Sequence, residues 1–127
     1  MSDKQKVIHD KKEQVSKIHP LIVEGETLYA VYDMKGGGTG FVGVTDLRLI
    51  FMDQAFARKK KAIVSLPYTK ITVVASEDSG KILFGTSSLS VRAGNEEWTF
   101  QFRTNQKAHE AYNLIMRNLL QTEAKGM

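Results

Sequence analysis

The chain contains no cysteine and only two prolines. Disulfides, thiolate metal sites and cysteine nucleophiles are therefore excluded. No apolar run approaches the roughly 18 residues of a membrane-spanning helix, and residues 1–14 lack the apolar stretch of a secretory signal. These absences predict a cytoplasmic protein, and its 127 residues are typical of one domain.

Positive charge is concentrated in one place. The net charge of +4 comes from 18 Lys and Arg against 14 Asp and Glu, and the contiguous Arg58, Lys59, Lys60 and Lys61 account for the whole excess. A neutral body with one cationic segment is not typical of a general nucleic-acid binder. Nucleic acid is accordingly not an expected partner.

Glycines are clustered in the stretch DMKGGGTGFVGVTD, residues 33–46. A phosphate-binding P-loop needs a helix directly after its glycines and a Gly-Lys-Ser/Thr ending. Here the glycines lead into the strand-like residues 41–44, and Lys35 precedes them. The stretch is therefore interpreted as a hairpin loop.

No other constellation of residues indicates catalysis. His9, His19 and His109 are scattered without metal-ligand spacing, and no Ser/His/Asp set or nucleophile elbow is present. The prediction is a protein that is not an enzyme, with no metal, no cofactor and no small-molecule substrate identified.

The hydrophobic pattern predicts a helix, then strands, then a second helix. A helix is expected over 3–18, because Val7, Val15 and Ile18 lie on one face and Pro20 disfavours its continuation. Alternation with period two then predicts seven strands, at residues 26–34, 41–45, 47–53, 62–66, 71–76, 88–93 and 97–103. Residues 81–84, KILF, are expected to be either an eighth short strand or the start of the sixth. The short links between them favour antiparallel pairing.

Residues 104–122 return to a helical period. Thr104 is the expected N-cap. The predicted apolar stripe of this helix consists of Ala108, Ala111, Tyr112, Ile115, Leu119 and Leu120.

Three segments carry a resemblance to a known family. They are GFVGVTDLRLIFMD at 40–53, IVSLPYTKITVV at 63–74 and SLSVRAGNEEWTFQF at 88–102. The chain resembles the bacterial pleckstrin-homology (PH)-like domains, most nearly the YokE-like group. The residues that stand at the family's positions are Thr45, Arg48, Leu49, Ile50, Phe51, Ser65, Pro67, Tyr68 and Ile71.

The resemblance implies a fold and a class of function. The fold expected is α+β and mainly β: a PH-like, seven-stranded antiparallel barrel with a C-terminal capping helix and an extra N-terminal helix. Residues 1–19 would be the N-terminal extension and 20–123 the PH-like domain. The implied function is a non-catalytic interaction module of a bacterial cytoplasmic protein, which acts by binding a protein partner or by self-association into a homo-oligomer.

One candidate surface is basic. The loops after the first and third predicted strands leave a meander at the same end, so they are expected to form one exposed rim. Its residues are Lys35, Phe56, Arg58, Lys59, Lys60 and Lys61. The alternatives are a solvated hairpin tip, an anionic membrane surface and nucleic-acid phosphate. The second strand, FVGVT, carries no cation, so specific phosphoinositide binding is not expected.

The other candidate surface is apolar. Alternation puts Tyr29, Val31, Ile50 and Met52 on the sheet face opposite Leu28, Ala30, Leu49 and Phe51. A solvated face of an antiparallel sheet should be polar, so a cover is expected. The N-terminal helix is one candidate for that cover, and a second copy of the chain is the other.

Overall fold

The structure, a computed structural model, describes residues 6–35, 39–57, 60–77 and 88–126, with the backbone alone at 39, 53–57 and 60–61. Two α-helices are present in these ranges, α1 at Lys12–Ile18 and α2 at Asn105–Lys125. The strands are β1 Ile8–His9, β2 Leu28–Asp33, β3 Thr39–Thr45, β4 Arg48–Ala57, β5 Lys60–Pro67, β6 Val73–Glu77, β7 Ser88–Ala93 and β8 Glu96–Gln101. Single 3₁₀ turns follow α1 at His19–Leu21 and β5 at Tyr68–Lys70.

The strands form two sheets. The larger sheet has the order β1-β2-β3-β4-β5, and the smaller has the order β6-β7-β8. Every described pairing between consecutive strands from β2 onwards within a sheet is antiparallel, because the links are too short for a parallel crossover. The mainly-β fold with a C-terminal helix is confirmed. The possible strand at 81–84 lies outside the described residues.

The sheets do not close into the barrel that the sequence predicts. On one side, no described ladder joins β2 to β8, and the two strand ends are linked by the bridge between Met34 and Phe102 and by the Lys35 N–H, which donates to the Gln101 carbonyl at 2.7 Å. On the other side, no described ladder joins β5 to β6. There Pro67 cannot donate to a ladder, and the 3₁₀ turn after it redirects the chain into the second sheet.

The main core lies between the inner faces of the two sheets and α2. Phe51 packs edge-on against Phe100, with ring centroids 5.0 Å apart, and against the half-buried Trp98 at 5.7 Å. The predicted N-cap is confirmed, since the Thr104 hydroxyl accepts from the Lys107 N–H at 3.1 Å. The predicted apolar stripe is wrong at Leu120, which is 54% exposed.

The N-terminal helix is shorter than predicted. Of the expected span 3–18, residues 3–5 lie outside the described residues, and the helix begins only at Lys12. The preceding residues instead extend along the edge of β2, where Ile8 pairs with Ala30 in a parallel register. The Asp10 N–H continues this contact by donating to the Val31 carbonyl at 3.3 Å. The N–H and C=O groups on that edge of β2 thus pair with the backbone of residues 8–10. A helix that began earlier would have used the backbone groups of residues 8–10 for its own hydrogen bonds.

Candidate interaction surface

The outer face of the larger sheet is the face that points away from the main core. The strand register places Val31, Gly43 and Ile50 side by side on it, and Met52 opposite Ile63 further along. Leu49 and Phe51 alternate with Ile50 and Met52, and both are fully buried on the inner face, as predicted.

Tyr29 does not share this face with Val31. The pairing of β2 with β3 shifts register between Leu28 and Ala30, which is the mark of a β-bulge. The extra residue reverses the alternation, so Leu28 packs with Val31 while Tyr29 packs against the main core. The predicted assignment of both side chains is therefore wrong.

Helix α1 lies on the middle of the outer face. Ile18 forms a second buried cluster with Leu28, Val31 and Ile50, and Val15 packs against it. Close approach is possible because β3 carries a glycine there. A Cβ at Gly43 would lie 2.6 Å from Ile18 Cδ1 and 3.4 Å from Ile18 Cγ2. Val31 and Ile50, both predicted to face a cover, are fully buried beneath this helix.

Asp33 at the end of β2 ties α1 to the far end of the chain. Its carboxylate accepts from Gln14 Nε2 at 2.7 Å and from Arg103 Nε at 2.8 Å, and it lies 3.6 Å from Lys11 Nζ. Burial alone would raise the pKa of Asp33. The hydrogen bonds from Gln14 and Arg103, together with the nearby cations, outweigh burial and hold the pKa below its usual range.

Asp10 makes a second link between the N-terminal residues and the rest of the chain, and here the carboxylate belongs to the N-terminal residues. Its carboxylate accepts the Asp33 backbone N–H at 2.8 Å and pairs with the Lys107 ammonium on α2. The Asp33 carboxylate therefore joins Gln14 and Lys11 to Arg103, and the Asp10 carboxylate joins the N-terminal residues to β2 and to α2. We call this pair, Asp10 and Asp33 with their partners, the carboxylate clamp.

The outer face continues beyond α1 as an apolar rim. Met52 is partly buried, and its cross-strand neighbour Ile63 is 46% exposed. Ile63 was not among the predicted surface residues. The signal was present, because Ile63 alternates with Val64 and Leu66, whose side chains contact the main core.

The residues that carry the family resemblance build the corner below this face. Thr45 accepts the N–H groups of Leu47 and Arg48 at 3.0 and 2.9 Å, which fixes the β3–β4 turn. The Tyr68 hydroxyl donates to the Thr45 carbonyl at 2.7 Å. Arg48 also donates to Ser65 Oγ at 2.9 Å, so the polar motif residues Thr45, Arg48, Ser65 and Tyr68 form one connected hydrogen-bond network.

Glu26 completes that network, although its sequence position did not predict this role. Its side chain is fully buried and accepts from Arg48 Nε at 2.8 Å and from the Thr45 hydroxyl at 2.8 Å. Burial raises the pKa of Glu26, but the bonds from Arg48, Val23 and Thr45 outweigh it and hold the pKa below the usual range. The same pairing raises the pKa of Arg48. A contact spanning 22 residues leaves no local signal.

The predicted basic rim is placed only in part. Lys35 is exposed at the end of β2. Arg58 and Lys59 lie outside the described residues, as do the side chains of Phe56, Lys60 and Lys61. The described pairing of Asp53 with both Thr39 and Ala62 puts the end of β4 and the start of β5 at the same end of the sheet as Lys35.

The histidines do not converge. His9 Nδ1 lies 2.9 Å from the Val7 carbonyl, and His109 lies near Asn113 on α2. Within the described ranges, no three His, Cys, Asp or Glu side chains are grouped to hold a metal ion. Neither α1 nor α2 has the combination of length and apolarity that a bilayer-spanning helix needs.

The family profile described as "Bacterial PH domain" matches residues 2–119. The chain belongs to this bacterial PH domain family. Uncharacterized protein YozO of Bacillus subtilis (strain 168) is a relative, 36% identical over 64 residues, which are 50% of this chain and 54% of YozO. The match thus spans about half the length of that relative.

Solved bacterial PH domains share the fold. A pleckstrin homology domain from Shewanella amazonensis SB2B matches with a TM-score of 0.66 and 22% identity over 87% of this chain and 99% of that one. A DUF1696 family protein with a pleckstrin-homology domain from Shewanella loihica PV-4 matches with a TM-score of 0.58 and 20% identity, over 84% and 93%. At these identities the likeness establishes the fold alone.

Proposed function

We propose that this bacterial PH domain is a non-catalytic interaction module that binds through the outer face of its larger sheet, by self-association or by contact with another protein. The apolar rim carries this proposal. Ile63 is 46% exposed and lies beside Met52, which packs against the second buried cluster. Ile18 shields the middle of that cluster from solvent, and Ile63 lies at its border. An apolar area that extends a buried cluster into solvent is suited to a protein partner.

The surroundings of the rim favour a protein over a small ligand. The rim lies on β4 and β5, and β5 is the last strand of its sheet in the described order. Such an edge offers backbone donors and acceptors as well as apolar side chains. Family membership agrees with a binding role, because PH domains are generally non-catalytic modules that mediate protein or lipid interactions.

Light scattering after size separation tests this function. We expect the wild type to show a molar mass above that of the monomer, and Ile63→Ser to shift the population towards monomer. The matched control is Val73→Ser, since Val73 is 50% exposed but lies on the smaller sheet. A wild type that stays monomeric at every concentration would rule out self-association, and equal effects of both substitutions would remove the rim from the interface.

A second candidate function is peripheral binding to anionic membrane lipid through Lys35 and the β4–β5 turn. The strand register supports it, because β4 ends and β5 begins at the end of the sheet where Lys35 is exposed. At about 1 kcal/mol per cation near an anionic surface, five charges would give weak and salt-sensitive binding.

Co-sedimentation with vesicles tests the lipid function. Binding should require anionic lipid and fall with salt, and the triple substitution Lys59→Ala, Lys60→Ala and Lys61→Ala should remove most of it. Replacing Phe56 by Ala should weaken it further with the salt dependence unchanged. If the wild type ignores anionic vesicles at low salt, the basic loop is a solvated tip.

A further inference from the structure

We propose that the N-terminal segment, residues 6–21, is exchanged between two copies of the chain, so that α1 of one copy covers the outer face of the other. The inference rests on the proposed self-association and specifies its form. The partner is a second copy of this chain, and the element that docks onto it is the segment that carries Ile18.

The segment depends on the rest of the fold for its structure. Helix α1 has seven residues, and its N-cap residue Lys11 makes no side-chain capping bond. Isolated helices shorter than about 12–15 residues are marginal in water. Strand β1 contributes only two residues. Docking onto a sheet therefore decides whether the segment is ordered, and the sheet of a second copy offers the same docking site.

The docking site is specific for this segment. Ile18 fills the space above Gly43 so closely that a methyl group there would collide with it. The carboxylate clamp adds polar contacts that only this segment supplies, through Asp10, Lys11 and Gln14. Because every one of these contacts joins the segment to the body, exchange preserves all of them, which is why swapping of an identical element is a low-cost route to a dimer.

The connector to β2 can act as the hinge. Val23, Glu24 and Gly25 are exposed, and the turn is closed by the Glu26 N–H donating to the Val23 carbonyl at 3.0 Å. Gly25 adopts φ +90°, and nothing lies within 4 Å of a Cβ built on it. Glycine passes from this conformation to an extended one without steric penalty, so the turn can straighten once the two hydrogen bonds between Val23 and Glu26 are released. Both ends of the hinge are fixed by Arg48. Its guanidinium donates to the Leu21 carbonyl before the hinge and to the Glu26 carboxylate after it.

A cysteine pair reads out the exchange directly, because the chain has no cysteine of its own. The pair Ile18→Cys with Gly43→Cys suits the site. Cγ2 is bonded to Cβ of Ile18, so the two Cβ positions lie within about 5 Å, close to the ~3.5–4.5 Å of a disulfide. After oxidation of a concentrated sample, we expect a disulfide-linked dimer of twice the molar mass on a non-reducing gel. Each single-cysteine variant is the control and should give no such dimer at the same yield.

Sizing of the same sample separates the two proposals. Dimers in light scattering whose disulfide is entirely intramolecular would overturn exchange and leave self-association standing. Monomers in light scattering with an intramolecular disulfide would overturn both.

A second variant does not depend on disulfide formation. Deleting Glu24 and Gly25 shortens the hinge, so that the segment reaches its own sheet less easily, and we expect the dimer fraction to rise at least severalfold. Inserting Gly-Ser after Gly25 should lower it. A deletion variant that remains monomeric and folded would contradict the exchange.

Discussion

Arg48 and Glu26 form the most deeply buried of the described ion pairs, with side-chain exposures of 19% and 0%. The Glu26 side chain is fully buried and depends on Arg48 for two of its hydrogen bonds. Removing one partner of such a pair leaves an uncompensated buried charge, so Arg48→Ala should lower the free energy of unfolding by about 3 kcal/mol. Chemical denaturation measures this loss.

The matched control for that substitution is Arg92→Ala. Arg92 pairs with Glu97 at 3.5 Å, but both side chains are about half exposed. Exposed pairs contribute little, so the loss should stay below about 1 kcal/mol. Similar losses for the two variants would show that Arg48 is no more than a surface ion pair.

Asp33 makes the stability of the fold depend on pH in the acidic range. Its pKa is depressed in the folded chain by Gln14, Arg103 and Lys11. The stabilisation is therefore fully present above the unfolded pKa of about 4 and is lost as pH falls through that value towards the folded pKa. We expect wild-type stability to fall more steeply than that of Asp33→Asn between about pH 5 and pH 3.

Denaturation midpoints across this pH range make the comparison. Glu97→Gln is the reference, because the exposed Glu97 pairs only with Arg92 in the described salt bridges, and it should retain the wild-type slope. Parallel profiles for wild type and Asp33→Asn would mean that the clamp does not depend on the charge of Asp33.

At the scale of elements, the close contact between α1 and β3 depends on the absence of a side chain at Gly43. Adding a methyl group at Gly43 forces Ile18 to move, and Ile18 is only 1% exposed, so it has little room. Overpacking of this kind costs about 1–3 kcal/mol, which is the loss expected for Gly43→Ala.

Ile18→Val removes the atom that the new methyl group would meet. The double variant should therefore recover part of the loss, and the two substitutions should be non-additive in a double-mutant cycle. Strict additivity of their unfolding free energies would contradict the close packing of α1 on β3.

The elements themselves were largely predictable, because their signals are local. Alternation located every strand from β2 to β8, and Thr104 marked the start of α2. Strand β1 was not predicted, because two residues carry no period. The bulge at Tyr29 was missed for a similar reason, since one extra residue in a strand changes the facing of its neighbours without changing its composition.

The site was less predictable than the elements. Val31 and Ile50 were correctly placed on a covered face, and Ile18 on the helix stripe. Their meeting at Gly43, the clamp, and the partnership of Glu26 with Arg48 all depend on contacts between residues far apart in sequence. Pairing of that kind is decided by the assembled sheet, and no single-sequence period encodes it.

At the scale of the whole molecule, the fold should open in stages. Ile18 is the one buried side chain of the N-terminal segment, which is otherwise held by the pairing of β1 with β2, the bond from Arg48 to the Leu21 carbonyl and the carboxylate clamp, while β3 and β4 lie in the middle of the sheet. Elements with few buried contacts open locally at lower free energy than the global transition. Amides of α1 should therefore exchange hydrogen through local opening, with little dependence on denaturant.

Native-state hydrogen exchange at increasing denaturant measures this difference. Amides of β3 and β4 should exchange only with global unfolding and show the full denaturant dependence. If α1 amides share that dependence, the segment is part of the central cooperative unit and does not open separately.

The tie between Asp10 and Lys107 also has a consequence for synthesis on the ribosome. The two residues are 97 positions apart, and Lys107 belongs to the last helix. Asp10 is translated early and must wait until α2 has emerged before this ion pair can form. Throughout that interval the N-terminal segment is held without its contact to α2, so a nascent chain stalled before Thr104 should show an N-terminal region that proteases cleave more readily than in the finished protein.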